Sequence, residues 1–167
     1  MTAPASPTSL DLDLQLAVAG GPAASFARLS ASLWQQPYLT AELLELCRLT
    51  LARLHRDEIE IAAVNPRLVH GQPAAQRRAA VLAGATYKSP AFSAAEKAIL
   101  LFTECYALDA QSIADEVAQQ AKDHLGEPGL VFLIEALGCL DARIRAARCL
   151  RDLAAFAPAN GSTPHGH

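Results

Sequence analysis

A chain of 167 residues, 51% hydrophobic and 19% charged, is long enough for one domain with a real core and too apolar for wholesale disorder. Its formal net charge of -3 offers a phosphate backbone no electrostatic footprint, so nucleic acid is not an expected partner. Cys47, Cys105, Cys139 and Cys149 form no Cys-x-x-Cys pair, which excludes zinc-ribbon and thioredoxin-like spacings and predicts reduced thiols packed as small core residues.

Residues 1–10 and 157–167 are rich in small residues, Pro and Gly and read as flexible tails around a domain spanning 11–156. No Lys or Arg precedes Arg28, and no window approaches the roughly 18 apolar residues of a membrane span. A cytoplasmic protein with no membrane partner is therefore expected. After Gly20-Gly21 a helix runs from about Pro22 to Gln35, and Thr40 caps a second through AELLELCRLTLARLH. On it Leu43, Leu46, Cys47, Thr50, Leu51 and Leu54 fall within about 160° of arc, an apolar stripe facing the core. Glu45, Arg48, Leu49 and Ala52 lie on the opposite face. Asp57 is a good N-cap for a third helix, with Glu58 and Glu60 in its first turn. Either that helix kinks at Pro66, or Asn65-Pro66 starts a separate short helix ending at His70, before Gly71. A brief helix follows at 74–83. Ser93 with Glu96 forms a capping box for a helix to about Leu108, and Ser112 with Asp115 resembles a second, for a helix ending at Gly126. Pro128 opens the last helix, 128–156, whose Arg143, Arg145, Arg148 and Arg151 read as a solvated, salt-bridged surface. No period-2 strand interrupts the pattern, so the fold class is all-α, a single domain of about six to seven helices.

The order of elements, the segment ELLELCRLTLARLHRDEIEIAAVNPRLVHG, Gln76-Arg77, the stretch from Ser89 to Ala98, the Phe102-Thr103-Glu104 step and the Arg143 region resemble the alkylhydroperoxidase AhpD and carboxymuconolactone decarboxylase superfamily over roughly residues 35–150. The resemblance implies an AhpD-like helical bundle and assembly into trimers or dimers of trimers. In the peroxidase branch a glutamate-bearing helix leads through a turn into C-x-x-C-x-x-x-H. Aligned on that turn, Asp57 and Glu60 stand where the cysteines belong, and Val64 stands at the histidine. Glu45, twelve residues before Asp57, matches the proton-relaying glutamate. A carboxylate forms neither a sulfenic acid nor a disulfide, so the resemblance implies that the thiol peroxidase centre is lost. Arg56-Asp57-Glu58 is similar to the decarboxylase branch, but Ala62 stands where its histidine follows.

Four residues are candidates for chemistry. Glu45 reads either as a surface glutamate pairing with Arg48 or as a retained acid–base group. Asp57 and Glu60 read as capping and dipole-complementing acids, or as a carboxylate cluster with Glu45 that binds a cation or moves protons. His55, beside the former centre, is the better catalytic candidate among the histidines. No cofactor and no metal are expected at these residues. The leading expectation is a protein that binds a small molecule or its own copies. The alternatives are acid–base or metal-assisted lactone-type chemistry at Glu45, His55, Asp57 and Glu60, and residual peroxidase activity from another cysteine. Leu49 and Ala52 give the second face of the 40–55 helix an apolar character that suits a subunit contact.

Overall fold

Thr40 opens the helix around which the rest of the chain is assembled, its side chain accepting the backbone N–H of Leu43 at 3.1 Å. The structure, a computed structural model, describes residues 7–156. Its helices are α1 (Asp13–Leu16), α2 (Gly21–Leu33), α3 (Ala41–Leu54), α4 (Glu58–Ala62), α5 (Ala75–Leu82), α6 (Ala94–Asp109) and α7 (Asp115–Phe156), with 3-10 turns at Ala17–Ala19 and Thr86–Lys88. Among the described residues every regular element is helical, in a single all-α domain. No helix among them is long and apolar enough to cross a membrane. For residues 1–6 and 157–167, the expectation of flexible tails falls outside the described residues.

Helix α3 touches α4, α5, α6 and α7, and every residue from Leu43 to Ala52 is buried. The expected division into a core stripe and an outward face is therefore corrected. Leu49 and Ala52 are enclosed by the chain itself, so they no longer argue for a neighbouring subunit. A helix apolar on nearly all sides belongs at the centre of a bundle, and its polar members are satisfied locally: Thr50 Oγ1 donates to the Leu46 carbonyl at 2.9 Å. Opposite it, Leu133, Ala136, Leu137, Leu140, Ile144 and Ala147 recur at three- and four-residue steps and form the inner face of α7.

Two residues, His55 and Arg56, reverse the chain between α3 and α4. The Asp57 N–H reaches the Ala52 carbonyl at 3.0 Å and the Arg56 N–H reaches Arg53 at 2.9 Å, while Arg56 sits at φ 54°. This is a Schellman motif with arginine in the left-handed position usually held by glycine. Asp57 then caps α4, accepting the Glu60 N–H at 3.1 Å, as the sequence predicts. The Ser93–Glu96 capping box is also formed in both directions.

Other local expectations change. No helix covers 66–70, because the Asn65 side chain accepts the Arg67 N–H at 3.0 Å and fixes a turn around Pro66; His70 is thus not a helix-terminal residue. Ser112 does not cap α7, which begins at Asp115; its N–H is drawn back to the Asp109 carbonyl at 3.1 Å. Gly126, at φ 68° and ψ 174°, breaks α7 into segments 115–125 and 127–156, a conformation essentially confined to glycine.

Candidate functional site

The buried polar centre is built on one ridge of α3. Glu45 and Arg48, one turn apart, both have 0% exposure, and so does Glu60 in the first turn of α4. Arg48 clamps Glu45 through Nε at 3.0 Å and Nη2 at 2.7 Å. Its Nη1 reaches Glu60 Oε2 and the Glu60 carbonyl, both at 3.1 Å. Asn65, held in its turn by Gln72, donates to Glu45 Oε2 at 2.7 Å. Asp57 joins from the α4 cap: its second oxygen binds Arg151, whose other arm approaches Glu60 at 3.5 Å.

The structure thus brings Glu45, Asp57 and Glu60 into one network, and the pairing of Glu45 with Arg48 forms in a buried setting rather than at the surface. Glu58 is exposed and stays outside it. His55 is held elsewhere: its Nε2 meets Asp141 Oδ1 on α7 at 2.5 Å, and Asp141 Oδ2 accepts Arg145 Nε at 2.6 Å. The imidazole therefore belongs to a partly exposed His–Asp–Arg relay on the α3–α7 flank.

Arg143 and Arg151 were expected on a solvated surface, and both instead point inward. Arg143 is 1% exposed and donates through Nε to the Ser9 carbonyl at 2.8 Å. Arg151 donates to the Pro7 carbonyl at 2.7 Å. Ser9 itself is buried on Glu60, its N–H donating to Oε1 at 2.5 Å and its hydroxyl to Oε2 at 2.7 Å. Residues 7–10 are therefore packed, which corrects their assignment to a flexible tail. The sequence signal for the two arginines is their common ridge: Arg143, Ala147 and Arg151 follow at four-residue steps, with a small buried residue between two long ones.

Chemically, this centre is a charge lattice whose acceptors are in use. A general acid or base needs hydrogen-bond reach to a substrate proton, whereas both oxygens of Glu45 and of Glu60 accept protein donors in an enclosed setting. The cation between Glu45 and Glu60 is the Arg48 guanidinium. Among the described residues no group of three or more His, Cys, Asp and Glu side chains is placed to hold a metal ion. The two buried thiols offer little nucleophilicity: burial pushes Cys47 up to about 12, against a weaker opposing hydrogen bond from Thr103. Cys139 is also raised, by burial first and by Asp13, with Arg143 opposing.

Open space lies elsewhere. A groove of about 620 Å³ runs between the Thr86–Lys88 turn, α6 and the first segment of α7, lined by Tyr87, Ala98 and Leu101 with Lys97, Gln120 and His124 at its polar rim. A second, of about 830 Å³, separates α2 from the second segment of α7. Neither groove is lined by Glu45, Asp57 or Glu60. Comparison of the chain with protein-family models, with characterised proteins and with solved structures found no match.

Proposed function

We propose that this chain is a divergent AhpD-like protein that has exchanged a thiol peroxidase centre for a carboxylate–guanidinium lattice, and that it acts by binding a small molecule or further copies of itself. The observation that carries this reading is the placement of Arg48. It sits between Glu45, the counterpart of the family's relay glutamate, and Glu60, at the position of the second cysteine, and turns a reactive constellation into a neutralised one. The apolar groove beside α6 supports a binding role, being a concave, mainly apolar site with a few convergent polar groups. Tyr87, Leu101 and Leu108, all exposed, support self-association along the same side.

The test is a peroxide-consumption assay on the reduced protein with an alkyl hydroperoxide and a dithiol reductant. The rate is expected to equal that of reductant alone. Turnover that saturates with peroxide and disappears when one cysteine is replaced by alanine would overturn the reading. Light scattering on the same sample is expected to give a multiple of 17.7 kDa; a uniform 17.7 kDa species leaves small-molecule binding as the sole role.

A further inference from the structure

Residues 7–12 precede α1 as a strap over the charged centre. A Thr8–Asp11 turn shapes it: the Thr8 N–H and hydroxyl donate to Asp11 Oδ1 at 2.6 and 2.8 Å, which turns Ser9 inward. The strap is then gripped by three charged side chains from two distant helices, α4 and α7. Glu60 takes the N–H and hydroxyl of Ser9, Arg143 donates to the Ser9 carbonyl, and Arg151 donates to the Pro7 carbonyl. Three of these four bonds go to main-chain atoms. That is how a site recognises an extended peptide, with apolar side chains filling the spaces beside it.

Two further observations separate the strap from the body of the protein. Leu10 and Leu12 are buried, yet neither belongs to the apolar cluster that joins α3, α6 and α7. Arg143 is nearly wholly buried but incompletely used: its Nη2 has no hydrogen-bond partner among the described residues, and its Nη1 faces Asp13 Oδ1 at 2.7 Å without hydrogen-bond alignment. A buried guanidinium with an idle nitrogen has capacity for a further acceptor.

We infer that Glu60, Arg143 and Arg151 form a recognition site for a peptide-like ligand, that residues 7–12 occupy it in cis, and that the strap leaves it without unfolding the helical core. The ligand class follows from what the strap supplies: an N–H or O–H donor for Glu60, neighbouring carbonyl or carboxylate oxygens for Arg143 and Arg151, and an apolar side chain for the space of Leu10 or Leu12. A hydrophobic N-acyl amino acid or short peptide has all three. Glu60 and Arg143 fall within the stretch that resembles the AhpD family, but their bonds to Ser9 do not depend on that resemblance, so the site stands whether or not that reading does. A cis occupant acts as a competitor at high effective concentration, so a free ligand binds the strapped protein more weakly in proportion to the open fraction.

The test uses the full chain and hydrogen exchange read by NMR. In the native protein the Ser9 amide is expected to exchange roughly 100-fold faster than those of Leu46 and Leu49, through an opening that spares the core. Leu12→Asp is expected to abolish Ser9 protection while leaving the α3 amides within about threefold. An acetylated synthetic peptide with the sequence of residues 7–13 is expected to shift the Arg143 and Arg151 Nε signals saturably in Leu12→Asp, and at least roughly tenfold more weakly in the native chain. Equal exchange of Ser9 and the core, equal peptide binding to both proteins, or no binding to a folded Leu12→Asp overturns the proposal. If Leu12→Asp loses core protection, Ser9→Pro, which removes the N–H given to Glu60, repeats the peptide titration and the α3 exchange measurement; loss of core protection there too, or no peptide binding, overturns it.

Discussion

Arg48 holds two carboxylates that share no solvent, and its environment makes their contributions strongly unequal to those of surface pairs. Desolvating a charge is expensive, and the Coulombic return comes only while every partner stays in place. Glu45→Ala or Glu60→Ala leaves the guanidinium under-compensated in a dry site. Each is expected to lower unfolding free energy by about 3–5 kcal/mol, measured by urea denaturation. Joint replacement of Glu45, Arg48 and Glu60 by Leu, Met and Leu removes the charges together and is expected to cost less than either single change. Single losses below about 1 kcal/mol would show that water reaches the centre and screens it. The same physics warns against judging ligand binding from single carboxylate variants, since they disturb the fold first.

Cys47 shows the opposite electrostatics, a neutral group that burial keeps neutral. Its folded value of about 12 lies above the ordinary 9.0, so the native state favours the protonated thiol more than the unfolded state does. Its contribution is complete below pH 9 and is lost as pH rises towards 12. Denaturation midpoints are expected to fall as pH rises from 9 towards 12, with a shallower slope in Cys47→Ala. Alkylation at neutral pH should label the exposed Cys149 and leave Cys47 unmodified in the native protein; early labelling of Cys47 by mass spectrometry refutes its enclosure.

At the scale of elements, the two left-handed helix ends make a natural comparison. Helix α5 closes with Gly84 at φ 63°, its N–H on the Val81 carbonyl at 3.0 Å and that of Ala85 on Ala80 at 2.9 Å. Helix α3 closes with the same bonds around Arg56 at φ 54°. An L-residue there costs roughly 1–2 kcal/mol, part of which glycine returns through greater freedom of the unfolded chain. Arg56→Gly is therefore expected to stabilise the protein by about 0.5–1 kcal/mol in thermal or urea unfolding. A loss would mean that the exposed Arg56 side chain makes a contribution larger than its backbone strain.

These ends also mark what the sequence made legible. Thr40, Asp57 and Ser93 were readable as caps because a cap is settled within four residues. Ser112 was misread because the end of the preceding helix, at Asp109, competes for the same segment. Asn65-Pro66 was misread because a side chain of its own turn replaced the helix start. The pairing of Glu45 with Arg48 is legible from their three-residue spacing, but its burial is not. The Glu45 carboxylate is closed in by Asn65 and by Arg48, which also binds Glu60, itself held by Ser9 fifty-one positions earlier. Local periodicity carries no trace of such a partner. Arg143 and Arg151 were lost for the same reason, their acceptors lying 134 and 144 positions away.

For the whole molecule, the covering of α3 moves the question of assembly to another surface. With both faces of α3 closed by its own chain, the self-association proposed above would use the apolar side chains that remain outside. Leu101 and Leu108, seven residues apart on one side of α6, are 42% and 74% exposed, and Tyr87, which lines the same groove as Leu101, is 64% exposed. Removing a leucine from water is worth about 1.5–3 kcal/mol, and introducing a carboxylate at the same place adds a desolvation penalty. If α6 is the contact, Leu101→Glu with Leu108→Glu should weaken association by at least roughly tenfold while leaving helix content and unfolding free energy nearly unchanged, because neither side chain contributes to the core. The readout is molar mass by light scattering across a dilution series, with circular dichroism on the same samples. An unchanged mass in a folded double variant excludes the α6 face. In that event the groove between α2 and α7, where Leu29, Val131 and Ile134 are also exposed, is the next face to test by the same substitution and readout.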